Sequence, residues 1–320
     1  MGTNELASYV GVHQRTLRAL AKRQHTLPTE EQWLLQRQLG IGASEALGVL
    51  GLGAYATPLT VYLDKRGLGK ERAPSHYMEA GKRLEPLIAD WYADRTGDVV
   101  LDPGAFTLTP HRSASCMQAT LDRVALRKGL PGPGVVEIKN TNDRNADDWD
   151  PSDPPLSVQV QVQHQLACSG LKWGLAVVLI GGHELRVCEP VMRDEDFIGR
   201  MERVEEKFWA RVVAGDMPEP GEGVADAAAL AGLYPNSNGL AVLLPGVLEM
   251  ADDRLMKAKA LRKRLDGVIR ECENSIKASM EDNEIGLLPS GSSYTFKTVE
   301  RKGYEVKATT YRTLRRKARR

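Results

Sequence analysis

The chain has 320 residues, 42% hydrophobic and 27% charged, with four cysteines and a net charge of +1. That composition belongs to a globular chain able to bury one large core and a second, smaller unit, and no run approaches the roughly 18 apolar residues of a membrane span. Cysteines at 116, 168, 188 and 272 lack any C-x-x-C pair, which argues against a zinc ribbon or a disulfide framework and fits a reducing cytoplasm.

The N-terminus has no apolar signal core, so an intracellular, cytoplasmic protein is expected. An amphipathic stretch from Glu5 to Arg23 reads as a leading helix, and Thr29–Gln38 as another. Ser44 is placed to cap a short helix before Gly51. Thr57-Pro58 opens a helix that stops at Gly67, with cap, first-turn proline and terminal glycine in the expected order. Residues 75–97 form a further helix in which Pro86 predicts a kink or break. Trp33 and Trp91 are expected in the core, and His164 on a helix surface or at the core's edge.

Segments 98–102, 105–109, 116–126 and 134–139 are short, rich in β-branched residues and parted by Pro/Gly turns, so they read as strands. Asn140–Pro155, with five Asp and three Pro, reads as a long acidic loop. Strands at 175–180 and 184–189 flank a Gly181-Gly182 turn, and a helix at 193–214 follows. Residues 216–245 resemble a linker. Ala258, Leu261, Leu265, Val268 and Cys272 alternate at spacings of three and four, suiting a helical hairpin or short coiled coil. Ser293–Val299 and Tyr304–Ala308 look like a small β-hairpin. The last twenty residues hold nine Lys/Arg and one Glu, a candidate phosphate-binding tail.

The chemistry concentrates in Val135-Val136-Glu137-Ile138-Lys139. On a strand, Glu137 and Lys139 share one face while Val136 and Ile138 pack on the other. Such a face is ordinarily just solvated. Asp122 alters that reading, because fourteen residues separate it from Glu137, enough for a strand, a turn at Lys128–Gly134 and a return. Two carboxylates side by side repel unless a cation lies between them. Hard oxygen ligands at an open site suit Mg²⁺, which keeps waters and takes phosphate oxygens. A lysine beside them can polarise a water or neutralise the transition state of phosphodiester hydrolysis.

Asp-x14-Glu-x-Lys matches the PD-(D/E)XK nuclease pattern, with Leu121-Asp122 where the pattern has Pro-Asp. Trp33…Arg37…Gly42-Ala43-Ser44-Glu45, Gly81-Lys82-Arg83-Leu84-Glu85, Ala119-Thr120-Leu121-Asp122, Glu137-Ile138-Lys139 and Gln161-Val162-Gln163-His164-Gln165-Leu166 follow in order. With these blocks, the stretch from about Glu31 to Gly215 closely resembles the YqaJ-like viral recombinases and phage lambda-type exonucleases. The resemblance implies an α/β (α+β) restriction-endonuclease-like core, its central mixed sheet flanked by helices, with a C-terminal helical extension. Its parts would be an N-terminal helical segment 1–28, a nuclease domain 29–215, a linker 216–245 and an extension 246–320.

By the same resemblance, Asp122, Glu137 and the Ile138 carbonyl would hold metal, and Glu85 would stand near a second ion. Lys139 would be the catalytic lysine, and Gln161 would orient it or the water. Arg37, Ser44 and Thr120 would line a 5′-phosphate pocket. The cofactor would be Mg²⁺, two ions per site, with Mn²⁺ able to substitute. The activity implied is 5′-to-3′ digestion of linear duplex DNA, leaving 3′ tails. A trimeric ring and a single-strand annealing protein would be its partners, in a bacterial host cell and away from membranes. An endonuclease of the same superfamily and an inactive DNA-binding scaffold are the alternatives. The chain departs from the pattern at Asn140-Thr141, where relatives often have Cys-Pro, and at Asp122-Arg123, where they commonly have Asp-Gly. Ser157–Gln163 alternates with period 2, which alone says strand, whereas the resemblance puts it on a helix.

Overall fold

A computed structural model describes residues 3–69, 75–301, 303, 308 and 311–316. The chain divides into two compact units, Met1–Tyr234 and Pro235–Arg320.

The first unit opens with α1 (Thr3–Ala21), β1 (His25–Thr26), α2 (Glu30–Gln38) and β2 (Ile41–Gly42), then α3 (Ala46–Val49), α4 (Pro58–Lys65) and α5 (His76–Thr96). Capping chemistry sets several boundaries: Thr29, Thr57 and Ser75 each accept a bond from a backbone N–H of the first turn. Gly97 ends α5 in the left-handed region at φ 71°. Of the kink or break expected at Pro86, the break does not occur: α5 runs through the proline. It lies on the exposed side with Lys82, whose carbonyl loses its helical partner, and water can take that bond.

Strands β3 (Val99–Leu101), β4 (Thr107–Pro110), β5 (Met117–Ala119), β6 (Arg123–Leu126) and β7 (Pro133–Thr141) follow, then α6 (Leu156–Ser169). After them come β8 (Trp173–Ile180), β9 (Glu184–Val187), β10 (Val191–Met192), α7 (Glu195–Ala214) and α8 (Val224–Leu233). The main sheet runs β10-β8-β7-β6-β3 with β9 on β8; β7 is antiparallel to β6 and parallel to β8. A smaller sheet runs β1-β4-β5-β2. The mixed α/β core expected from the sequence is the core observed.

Apolar residues pack on both faces of the main sheet. Val136, Ile138, Leu175 and Val177 meet Ile88, Ala89 and Tyr92 of α5. Val135, Ala176 and Val178 face the cluster that holds α6, α3, α4 and α7. Helix α6 corrects the period-2 reading of its own sequence. Ten of its fourteen residues are buried, so no solvent stripe exists to stamp a helical period on it. His164, expected near the surface, is wholly buried. The acidic loop is partly built as well: β7 runs on to Thr141, a 3-10 turn spans Asp143–Asp148, and Trp149 is buried.

Residues 224–233 fall inside the stretch that composition reads as a linker, yet they form α8. Asp226 of α8 is buried and accepts a hydrogen bond from the Thr57 hydroxyl.

The second unit holds one continuous 33-residue helix, α9 (Leu248–Met280), rather than a helical hairpin. Its apolar row, including Leu261, Leu265 and Val268, is exposed. Strand β11 (Ile285–Leu287) pairs with β12 (Ser293–Thr295), so the hairpin uses a different first strand from the one expected. Residues 304–307 of the expected second strand lie outside the described residues. Among the described residues, no helix is long and apolar enough to cross a membrane.

Candidate active site

Strand β7 puts Glu137 and Lys139 on the face that α6 covers, and the pair is not a solvated strand face. Glu137 is 2% exposed. Its Oε1 accepts from Lys139 Nζ at 2.6 Å and from Gln161 Nε2 at 2.7 Å, and its Oε2 accepts from Gln165 Nε2 at 2.6 Å. Gln161 Oε1 in turn accepts from Lys139 Nζ at 3.0 Å. Gln161 and Gln165 are four apart on α6, one turn, so both amides reach the same carboxylate. Burial opposes the charge on Lys139, but the Glu137 carboxylate outweighs it and raises the ammonium above its usual range.

Asp122 sits at the entry to β6, where antiparallel pairing with β7 brings it beside Glu137. Its Oδ2 accepts from the Ile138 N–H at 2.8 Å. Burial, reinforced by the charges of Glu137 and Glu85, pushes its carboxyl well above the usual carboxylate range. A pair of acids that resist joint ionisation is the electrostatic condition a divalent cation relieves. The donor set fits such an ion: Asp122, Glu137 and Ile138 line one cavity of about 410 Å³, and a main-chain carbonyl and two carboxylates are hard oxygen ligands. Among the described residues, no three His, Cys, Asp or Glu side chains converge as a metal cluster.

Glu85 of α5 also lines the cavity. It already has a partner, because Arg123 Nη1 donates to Glu85 Oε1 at 2.7 Å and also to the Asp122 carbonyl. The Arg123 side chain is 9% exposed.

Arg37, Ser44 and Thr120 line the same cavity. The Arg37 guanidinium lies 4.7 Å from the centre of the Trp33 ring, and its Nη2 is 3.5 Å from Ser44 Oγ. The Trp33 indole donates to Thr120 Oγ1 at 3.3 Å. Trp33 is therefore a wall of the cavity, not a core residue, and Trp91 is 41% exposed. Ser44 is no helix cap. It lies within a 3-10 turn, Ala43–Glu45, whose entry at Gly42 is closed by Glu45 Oε2 accepting the Gly42 N–H at 2.7 Å. Its hydroxyl instead sits beside Arg37.

All nine residues singled out from the sequence thus line one cavity. Sequence reasoning missed Gln165, Arg123 and the place of Trp33. A signal existed for the first, since Gln161-x-x-x-Gln165 has helical spacing once the segment is known to be a helix.

Residues 32–172 match the family model of the YqaJ-like viral recombinase domain. Over these residues the chain is similar to that domain. That match covers every residue of the cavity named above. The uncharacterized protein YqaJ of Bacillus subtilis (strain 168) is 28% identical over 267 residues, 81% of each chain. Two solved structures of an alkaline exonuclease, LHK-Exo from Laribacter hongkongensis, are each 22% identical to the chain, covering 58% of it and 94% of their own length. The TM-score is 0.48 for one and 0.46 for the other, which is a complex with dAMP.

Proposed function

We propose that the chain is a Mg²⁺-dependent deoxyribonuclease that digests linear duplex DNA from its 5′ ends and leaves 3′ single-stranded tails. The observation that carries the reading is the convergence of Asp122, Glu137, Lys139 and Gln161 in one cavity that Arg37, Ser44 and Thr120 also line. Asp122, Glu137 and the Ile138 carbonyl would hold a divalent ion; such an ion polarises a phosphoryl oxygen and acidifies a bound water. Lys139, held by Gln161, orients the attacking water and offsets charge developing on the scissile phosphate. Gln161 and Gln165 fix the Glu137 carboxylate, so no reorganisation is needed as charge moves. Arg37, with Ser44 and Thr120, receives the terminal 5′-phosphate through charge-assisted hydrogen bonds. Action from a DNA end, a trimeric ring and a single-strand annealing partner rest on the resemblance of the ordered motif blocks. Mn²⁺ would substitute for Mg²⁺.

End-labelled linear duplexes, with and without a 5′-phosphate, and a covalently closed duplex of the same sequence separate the readings. Loss of 5′ label from the linear substrate, faster with the phosphate, is expected with Mg²⁺ present. Equal attack on closed DNA would instead make the chain an endonuclease. No cleavage with either Mg²⁺ or Mn²⁺ would leave a DNA-binding scaffold.

A further inference from the structure

We propose that α9 pairs with α9 of a second copy of this chain as an antiparallel two-stranded coiled coil. The proposal concerns the second unit alone and does not depend on the nuclease reading of the first.

Helix α9 runs for 33 residues, about 50 Å at 1.5 Å per residue. Along its middle, Ala258, Leu261, Leu265, Val268 and Cys272 keep to one face at spacings of three and four. The C-terminal end of the helix is covered, since Met280 is buried and lies against Gly286 of β11. The middle is not: Leu261, Leu265 and Val268 are each more than half exposed. A helix of this kind takes most of its stability from whatever covers its apolar stripe.

Charge decides the occupant and its direction. With Ala258, Leu265 and Cys272 at heptad position a and Leu261 and Val268 at d, the g positions are Lys257, Arg264 and Glu271. The e positions are Leu255, Arg262 and Ile269. In a parallel pair each g faces the next e of the other strand, which sets Lys257 against Arg262 twice. The d positions also face each other, so Arg254 would be buried against its own copy. In an antiparallel pair g faces g and e faces e. With Leu265 layered on Val268 of the second copy and Leu261 on Cys272, Arg264 faces Glu271 on each side of the two-fold axis. Arg262 then meets Ile269, Arg254 falls beside Ser279 at the end of the seam, and no like charges face each other at g or e. The ion pairs within α9 are Lys257–Asp253, Arg262–Asp266 and Lys277–Glu273. Among the described residues, Arg264 and Glu271 have no ion-pair partner in their own chain, and a second copy supplies one to each.

Disulfide trapping on the full chain tests both pairing and direction. The other three cysteines, Cys116, Cys168 and Cys188, are buried, which leaves Cys272 as the exposed thiol. In the antiparallel register the two copies of Cys272 lie eleven positions out of step, about 16 Å apart along the seam and beyond the reach of a disulfide. Under mild copper-catalysed oxidation the wild type should therefore stay uncrosslinked. Leu261→Cys should form covalent dimers, mapped by peptide analysis to a bond between positions 261 and 272, and Leu261→Cys with Cys272→Ser should not. Leu261 is exposed, so the substitution leaves the core of the first unit untouched, and an unchanged melting temperature checks that. Adding Glu271→Arg sets Arg against Arg264 and should slow the crosslink about tenfold at low salt; adding Arg264→Glu as well should restore it. Rapid dimers of the wild type through Cys272 would mean parallel pairing and overturn the proposal. No dimer from Leu261→Cys would overturn self-pairing and leave the face to a different partner. A crosslink indifferent to Glu271→Arg, or not restored by the double exchange, would overturn the charge register.

Discussion

A carboxylate sealed from water needs donors on both oxygens, and Glu137 obtains them from one lysine and two glutamines. That dependence makes Gln165 testable, because its amide is the donor to Glu137 Oε2 and also reaches the Thr120 carbonyl at 3.3 Å. Gln165→Leu leaves that oxygen without its donor in a buried setting, which costs about 1–3 kcal/mol of stability. On the proposed metal-dependent reading it also loosens a carboxylate that would hold the ion, for which losses of about 10–100-fold in metal affinity or activity are expected. Thermal melting and Mn²⁺ affinity, measured together, check it; a variant unchanged in both would show that Gln161 and Lys139 suffice. Lys139→Ala is expected to remove cleavage and largely retain binding to duplex DNA, compared by gel shift. Glu137-x-Lys139 was legible in the sequence as a shared strand face, whereas its burial was not, since the same pattern serves a solvated face equally well. The cover comes from α6, whose Gln161 and Gln165 lie more than twenty positions further on.

At the scale of elements, α6 shows where local pattern fails and why. Val158, Val160 and Val162 alternate with glutamines, and a strand would put those glutamines on one polar side. In the helix they turn in different directions, each to a specific bond: Gln159 to Asp153 and the Pro154 carbonyl, Gln161 and Gln165 to Glu137, Gln163 to the Met192 carbonyl. Buried polar partners far along the chain, invisible to periodicity, decide the element. The same helix carries a sealed ion pair, His164 Nδ1 to Glu205 Oε1 of α7 at 3.1 Å, with Nε2 against the Gln118 carbonyl at 3.1 Å. Burial opposes the imidazolium, but the Glu205 carboxylate outweighs it and holds His164 charged well above its ordinary range. A histidine raised on folding contributes stability that is complete below its unfolded value of about 6.5. That contribution is lost as pH climbs through the raised value. Melting temperature should therefore fall on the alkaline side. Glu205→Gln should melt lower near neutrality, by about 3–5 kcal/mol for a broken buried pair, and show a shallower alkaline decline. Melting curves from pH 6 to pH 9 decide it; parallel curves for both proteins would remove His164 as the titrating group.

Across the whole molecule, every residue of the cavity lies in the unit Met1–Tyr234. Where that unit ends is the least legible feature of the sequence. Gly, Pro and Ala enrichment over 216–245 gives the signature of a linker, and the Ala-rich α8 offers no strong apolar stripe to contradict it. Its docking depends instead on a buried acid: Asp226 accepts from the Thr57 hydroxyl, which also caps α4 by accepting the Thr60 N–H, and from the Gly221 N–H. Around that bond Ala229, Leu230 and Leu233 pack against the main core. We therefore predict that a chain ending at Tyr234 folds cooperatively and cleaves linear duplex DNA, whereas one ending at Gly215 loses stability. Exposing those side chains and the hydroxyl costs about 2 kcal/mol or more, which in a domain of this size is about 4–8 °C of melting temperature. Equal melting temperatures for the two truncated chains would show that α8 contributes nothing to the fold. A chain ending at Tyr234 that folds yet fails to cut would instead place an essential function in Pro235–Arg320, where α9 and the Lys/Arg-rich end of the sequence lie.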